Sequence, residues 1–410
     1  MVVMSAPLRA GPLLAADEFA HVRRRTIFEC CKWDPQFEDV RTLAPFPLVL
    51  NAQTWRRLAA EAVELGRETL AAESELLQRP DLFAELGLPR PVRRALQQAA
   101  QAGATRGIAR TLRFDFHPTV EGWRISEVNS DVPGGFVEAQ GFTGLMAEAS
   151  RHLRPAGMPA DVLAESITTA IGPRASVGLV HATAYSDDRQ VMTYLQPAFE
   201  RRGATTHLVS PQQVAWTGGR ASLACDWGHG PLDALVRFYP AEWLPELPHR
   251  SGWTHCFAGG RTPLCNPATA LLTQSKRLPL VWDRLETPLP KWRRCLPETR
   301  SPREVDWRSN GTWLVKPALG RVGEDVAVRS ATPATAWRRI ARSARWFPRH
   351  WIAQRRFESL PVETPLGLMH VCLGVFVIDG HAAGIYGRMA RVPLIDSRAY
   401  DVAVLIDAKD

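Results

Sequence analysis

Apolar and polar residues alternate most cleanly between positions 111 and 129. Leu112, Phe114 and Phe116 fall on one side of an extended chain, and Arg113, Asp115 and His117 fall on the other. This is the period-two pattern of a half-buried strand. Turn residues occupy 118–122, and a second strand is expected over 123–129, where Glu127 and Asn129 are two apart and share a face. A hairpin of this kind gathers Asp115, Glu127 and Asn129 with Arg113 beside them. Two carboxylates and an amide oxygen are hard ligands, suited to Mg²⁺ and not to zinc or iron. By spacing alone, the same face fits a solvated surface with an Arg–Asp pair equally well.

Elsewhere the pattern predicts a mixed α/β chain. Residues 1–26 read as a loosely ordered lead-in, and 27–110 as a mostly helical region. Within that region Trp55, Leu58, Ala62 and Leu65 recur at helical spacing, Asn51 or Thr54 can cap, and Pro80 and the 86–91 stretch divide the segment. The hairpin and two following helices make up 111–172. In 173–262, strands at 177–180, 206–209 and 235–239 with a helix at 187–202 predict a parallel, Rossmann-like unit. That unit has no G-x-G-x-x-G and is not read as a dinucleotide site. The last region, 263–410, holds a helix containing Lys276 and strands at 313–316, 324–328 and 351–357. It ends in two strands, 368–378 and 381–391, joined by Asp379-Gly380, a two-residue hairpin signal.

Composition narrows the class without changing this picture. The 410 residues are 45% hydrophobic and 22% charged, as in ordinary globular proteins. The formal net charge is +8, carried almost wholly by arginine, since only five lysines occur. No basic run is dense enough to imply nucleic acid, and anionic substrates account for some basicity. Seven cysteines lie scattered without C-x-x-C or zinc spacing, as expected of reduced thiols in a cytoplasmic protein. The N-terminus lacks a signal-peptide pattern and no run of 18 apolar residues occurs, so no membrane partner is expected.

A second chemical stretch is Trp313 to Gly323. A strand delivers Lys316 into Pro317-Ala-Leu-Gly-Arg-Val-Gly, where Gly320 and Gly323 allow positive φ and close backbone approach, as a loop over phosphates needs. Arg321 sits at the loop tip. R-x-D at 113–115, E-x-N at 127–129, the Asp-Val-Pro-Gly-Gly run and Glu138 together resemble the metal-binding signature of the glutathionylspermidine synthase family. That family belongs to the ATP-grasp carboxylate–amine ligases. K-P-x-x-G-R-x-G resembles its phosphate loop, with a lid about 305–350. The order of the signals, with 115, 127 and 129 some 150 residues ahead of Lys276, is similar to the permuted arrangement of this branch.

The resemblance implies an α/β (α+β) ATP-grasp fold in permuted order, with a Rossmann-like pre-ATP-grasp subdomain and a helical N-terminal region. It implies ATP and Mg²⁺ as cofactors, with two ions held by Asp115, Glu127 and Asn129 and Glu127 bridging. By the same resemblance, Lys276 and Lys316 bind phosphates, Arg113 and Arg388 orient the substrate carboxylate, and Arg321 closes the site. Gln354 falls on the strand that contacts adenine. The chain departs from the family at Ser275, where an Asn is usual, at Arg355, where a Glu is usual, and at the acidic Glu324-Asp325 after the loop. The implied activity joins a small-molecule or peptide carboxylate to an amine through an acyl phosphate. The alternatives are an ATP-grasp phosphotransferase and a nucleotide-binding pseudoenzyme acting as an interaction partner.

Overall fold

The computed structural model describes residues 7–38, 40–103, 107–150, 152–320, 325–329 and 332–407. Its centre is a six-stranded sheet in which Tyr400–Val402, His381–Ala390, Gly367–Ile378, Thr111–Thr119 and Gly122–Asn129 lie side by side, with Val362–Thr364 added to the long strand. The predicted hairpin at 111–129 is therefore one edge of this sheet. The Asp379-Gly380 turn joins its two longest strands, both turn residues having positive φ (47° and 78°), as a tight hairpin turn requires.

One face of the sheet is apolar; the other is polar around Arg113, Asp115 and Arg388 and apolar at Phe376 and Ile378, which join the core of the parallel unit. Leu112, Phe114, Phe116, Val371, Leu373, Val375 and Val377 form part of the main core. That face is covered by helix Ala52–Leu77, whose first turn is closed by Asn51 accepting from Thr54 N at 2.7 Å. Gly66 on this helix lets the sheet approach: a Cβ there would lie 3.3 Å from Val377 and 3.4 Å from Leu112.

The hairpin register contains an irregularity that simple alternation does not anticipate. Phe114 pairs with Val128 and Phe116 with Ile125, so Ser126 and Glu127 together oppose Asp115. Ile125 and Val128 are three apart and cannot both face the core in a regular strand. The bulge resolves that conflict and re-aims the residues within it.

The Rossmann-like unit is present as four parallel strands, in the order Leu264–Cys265, Ala234–Phe238, Ser176–His181, Thr205–Val209. A short antiparallel meander, Val214–Thr217, Arg220–Cys225 and Gly228–Pro231, extends it and has no counterpart in the sequence reading. A further three-stranded sheet, ordered Thr299–Arg300, Trp351–Arg355, Trp313–Pro317, carries helix Ala334–Trp346 on one face.

Three expectations change. Residues 8–10 and 16–26, read as part of a loosely ordered lead-in, form a strand paired with Leu48–Leu50 and most of helix Ala16–Phe28, which buries Phe19 and Val22. Lys276 is not inside a helix. The helix ends at Gln274, because Ser275 turns extended (ψ 122°) and donates its hydroxyl to Leu86 O at 2.6 Å. In place of a strand at 324–328, the described residues show a single bridge between Ala327 and Val315, and Glu324 lies outside them.

Candidate active site

The polar face of the central sheet gathers charged side chains from four strands. Asp115 lies opposite Gly374, which lies opposite Tyr386, while Cys372 lies opposite Arg388 and Arg388 opposite Asp401. Arg113 grips Asp115 with two parallel bonds, Nε to Oδ1 at 2.8 Å and Nη2 to Oδ2 at 3.0 Å. Its remaining Nη1 donates to Gly134 O at 2.6 Å, and its guanidinium stands 5.1 Å over the Tyr386 ring. Asn129 donates its amide NH₂ to Asp115 Oδ2 at 3.1 Å. Gly374 makes the Arg113–Asp115 pair possible, since a Cβ there would meet Arg113 Cδ at 2.7 Å and Asp115 Oδ1 at 3.0 Å.

Two lysines reach this face from other parts of the chain. Lys276 Nζ binds Glu127 Oε2 at 3.1 Å and Gly320 O at 3.0 Å, and Lys276 N donates to Ala318 O. The turn after helix Leu271–Gln274 is thus tied both to the hairpin and to the start of the phosphate-type loop. Lys316 Nζ lies 3.3 Å from Ser126 O, the carbonyl offered by the bulge. Burial and the Lys276 ammonium lower Lys316, against the pull of Glu127 and Asp115, to a pKa of about 8. Burial pushes Glu127 up, but Lys276 and Lys316 outweigh it and hold the carboxyl below its usual range. His117, on the same face, is buried against Ser126 and Phe357, and burial drives its pKa down to about 4, so it is neutral.

Arg388 donates to Asp396 O at 2.5 Å, and its buried Nε lies 3.9 Å from Asp401 without a hydrogen bond among the described residues. Behind it is a charged cluster that sequence reasoning missed. Lys32 is fully enclosed by Asp34 (3.0 Å), Asp401 (3.1 Å) and Glu138, and Asp401 also takes the Tyr386 hydroxyl at 2.7 Å. A lone lysine far from any motif gave no signal of this. The loop after the hairpin is held as firmly. Asp131 pairs with buried Arg237 and accepts from Ala241 N at 2.8 Å, while Asn266 binds Thr111 O, Ser130 O and Asp131 O.

Two expected site residues behave differently. Gly320 is not at positive φ; it is needed for space, since a Cβ would sit 2.6 Å from Pro317. Gln354 is buried, donates to Thr299 Oγ1 at 3.1 Å, and its strand is flanked on both edges. Arg321 and Gly323 lie outside the described residues.

The donor set fits a hard cation. Asp115 and Glu127 supply carboxylate oxygens, and Asn129, having turned its NH₂ toward Asp115, keeps an amide oxygen that takes no hydrogen bond among the described residues. Among those residues there is no group of three or more His, Cys, Asp or Glu able to hold a metal alone. Two carboxylates completed by phosphate oxygens is the pattern of Mg²⁺–nucleotide sites.

An antiparallel sheet with a cationic and acidic polar face, a flanking parallel subdomain and a small three-stranded sheet carrying the lysine loop define a fold of the ATP-grasp type with its pre-ATP-grasp domain. The chain belongs to the glutathionylspermidine synthase pre-ATP-grasp family, whose model matches residues 47–407. Among solved structures it is similar to a glutathione synthetase-like effector from Globodera pallida, at 10% identity over 95% of this chain and 96% of that one, with a TM-score of 0.64. At that identity the likeness shows the fold alone. A putative gamma-glutamylcysteine synthetase from Methylobacillus flagellatus aligns at 12% identity over 80% of this chain and 88% of that one, with a TM-score of 0.45. No curated protein sequence matches the chain. No helix among the described residues is long and apolar enough to cross a membrane.

Proposed function

We propose that the protein is an ATP-dependent carboxylate–amine ligase. The observation that carries this reading is the convergence of Arg113, Asp115, Glu127, Asn129, Lys276, Lys316 and Arg388 on one sheet face, with Lys276 joining the metal-type hairpin to the phosphate-type loop. A site that only bound an anion would not need carboxylates among its cations. A site that positions nucleotide phosphates on a divalent ion needs both.

In this reading Lys276 and Lys316 bind the phosphates, releasing Glu127 and Ser126 O from their present contacts. Asp115, Glu127 and Asn129 would hold Mg²⁺, which would neutralise charge on the phosphates. Arg113 and Arg388 orient the substrate carboxylate. One carboxylate oxygen attacks the γ-phosphorus, the bond from that phosphorus to the β,γ-bridging oxygen breaks, and ADP leaves. The neutral amine then attacks the acyl carbon, the carbon–oxygen bond to phosphate breaks, and the ammonium proton is lost as the amide forms. Positioning and charge stabilisation supply the rate. Arg321 and Gly323 would cover the γ-phosphate. Ala353 and Gln354 are paired on both edges and offer no free backbone to adenine.

The test is product analysis with Mg²⁺–ATP and panels of acids and amines. The ligase predicts ADP, phosphate and an amide formed together. A stable phosphorylated acid without amide would instead favour the phosphotransferase.

A further inference from the structure

The charge of this chain is not spread evenly. Residues 301–356 hold twelve of its fifty Lys and Arg but four of its forty-two Asp and Glu, an excess of eight that equals the net charge of the whole protein. The rest of the chain is balanced. The excess is not explained by nucleotide phosphates. Trp313, Val315, Trp351 and Ala353 turn to the core under helix Ala334–Trp346, whereas Lys316 on the same sheet reaches the site from the opposite face. The outer side of the helix is therefore separated from the site by the helix and the sheet.

That outer side carries Arg338, Arg339, Arg342 and Arg345, and the helix has no acidic residue. Arg339 is paired with Asp325; Arg338, Arg342 and Arg345 make no ion pair among the described residues. Besides Asp325, the described acids of 301–356 are Glu304 and Asp306, which is engaged by Ser309, and Glu85 pairs with Arg349. Like charges three and four apart destabilise a helix, so this row opposes the helix it sits on. At its end Trp346 and Phe347 are 68% and 59% exposed. Together with Thr335, Arg338, Arg342 and Ser343 they line an open groove of about 500 Å³.

We infer that this groove docks an acidic, amphipathic peptide segment of a partner protein, with carboxylates on the arginine row and an apolar side chain against Trp346 and Phe347. Charge complementarity selects an anion, and the aromatic pair selects one with an apolar anchor. Single-stranded nucleic acid would need free ring faces for stacking. Here Arg345 covers one face of Trp346 at 5.8 Å, and His350 is stacked on Phe347 at 5.9 Å. A membrane-lying helix would need a continuous outward apolar stripe, which the arginines interrupt. The inference does not depend on the ligase reading.

The test is fluorescence anisotropy of the full-length protein with a labelled helical peptide bearing Glu on one face and Leu at i, i+3, i+4 and i+7 on the other. The same peptide with Leu replaced by Ser, oligothymidylate, and phosphatidylserine vesicles serve as comparison probes. Saturable binding of the Leu peptide is expected, weakened about tenfold by Arg338→Ser/Arg342→Ser and about tenfold by Trp346→Ser. The Ser peptide should lose a similar factor on the unaltered protein, which keeps the test independent of how the variants fold. Absence of binding, tighter binding of oligothymidylate or vesicles, or indifference to both Trp346→Ser and the loss of Leu would overturn the inference.

Discussion

Replacing Asp131 by Asn probes how the site is held to the parallel subdomain. Asp131 and Arg237 are both almost wholly buried. One carboxylate oxygen takes Arg237 Nη2 and the other takes Ala241 N at 2.8 Å. An Asn amide has one oxygen, so either orientation sets an NH₂ against a donor. Burial works against the Arg237 charge and Asp131 outweighs it. Without the carboxylate, the guanidinium keeps only the carbonyls of Tyr239 (2.5 Å) and Asn266 (3.0 Å). Breaking a buried pair from one side costs about 3–5 kcal/mol. For a chain of 410 residues the unfolding entropy is roughly 0.9 kcal/mol per degree, so the melting temperature should fall by about 4–6 °C. Scanning calorimetry reads this directly. Arg237→Met added to Asp131→Asn should cost about 2 kcal/mol less than the two single losses summed. A shift under about 1 °C for Asp131→Asn, or strictly additive losses, would refute the reasoning.

Other outcomes follow from the same geometry. His117 is held neutral, with a folded pKa of about 4 against an ordinary 6.5. Its contribution to stability is therefore complete above pH 6.5 and lost as pH falls toward 4, on the order of 2 kcal/mol between pH 7.5 and 5. The difference in urea stability between wild type and His117→Gln should show that slope, and a flat difference would contradict it. Lys32→Met leaves Asp34, Glu138 and Asp401 without their shared cation and should destabilise by about 3–5 kcal/mol; a loss below 1 kcal/mol in urea unfolding would show the cluster to be solvated. Gly374→Ala drives a Cβ into Arg113 and Asp115. It should abolish Mg²⁺-dependent nucleotide binding measured calorimetrically, and unchanged affinity would place the metal elsewhere.

Much of this was legible in the sequence because period-two alternation and turn chemistry are local. The strands at 111–119 and 381–390 and the Asp379-Gly380 turn declare themselves within a few residues. Helix Ala16–Phe28 was not read from the sequence, because its many charges mask the stripe of Phe19, Val22 and Thr26 at helical spacing. The bulge at Ser126–Glu127 was foreshadowed by Ile125 and Val128 standing three apart. What could not be read depends on partners distant in the chain. Ser275 ends its helix by bonding Leu86, Lys32 is buried by Asp401, and Gly374 is required by a side-chain pair on the neighbouring strand.

The central claim is that nucleotide binds where the hairpin and Lys316 meet. Its most direct test is thermal unfolding at pH 7, where Lys316 is charged, with and without Mg²⁺–ATP, for wild type, Asp115→Asn and Lys316→Ala. At about 100 times its Kd the nucleotide adds about 2.7 kcal/mol, a rise of about 3 °C for this chain length. The account predicts that rise in wild type, its dependence on Mg²⁺, and its reduction in both folded variants. An equal rise in all three proteins, or none in wild type at millimolar Mg²⁺–ATP, would contradict it.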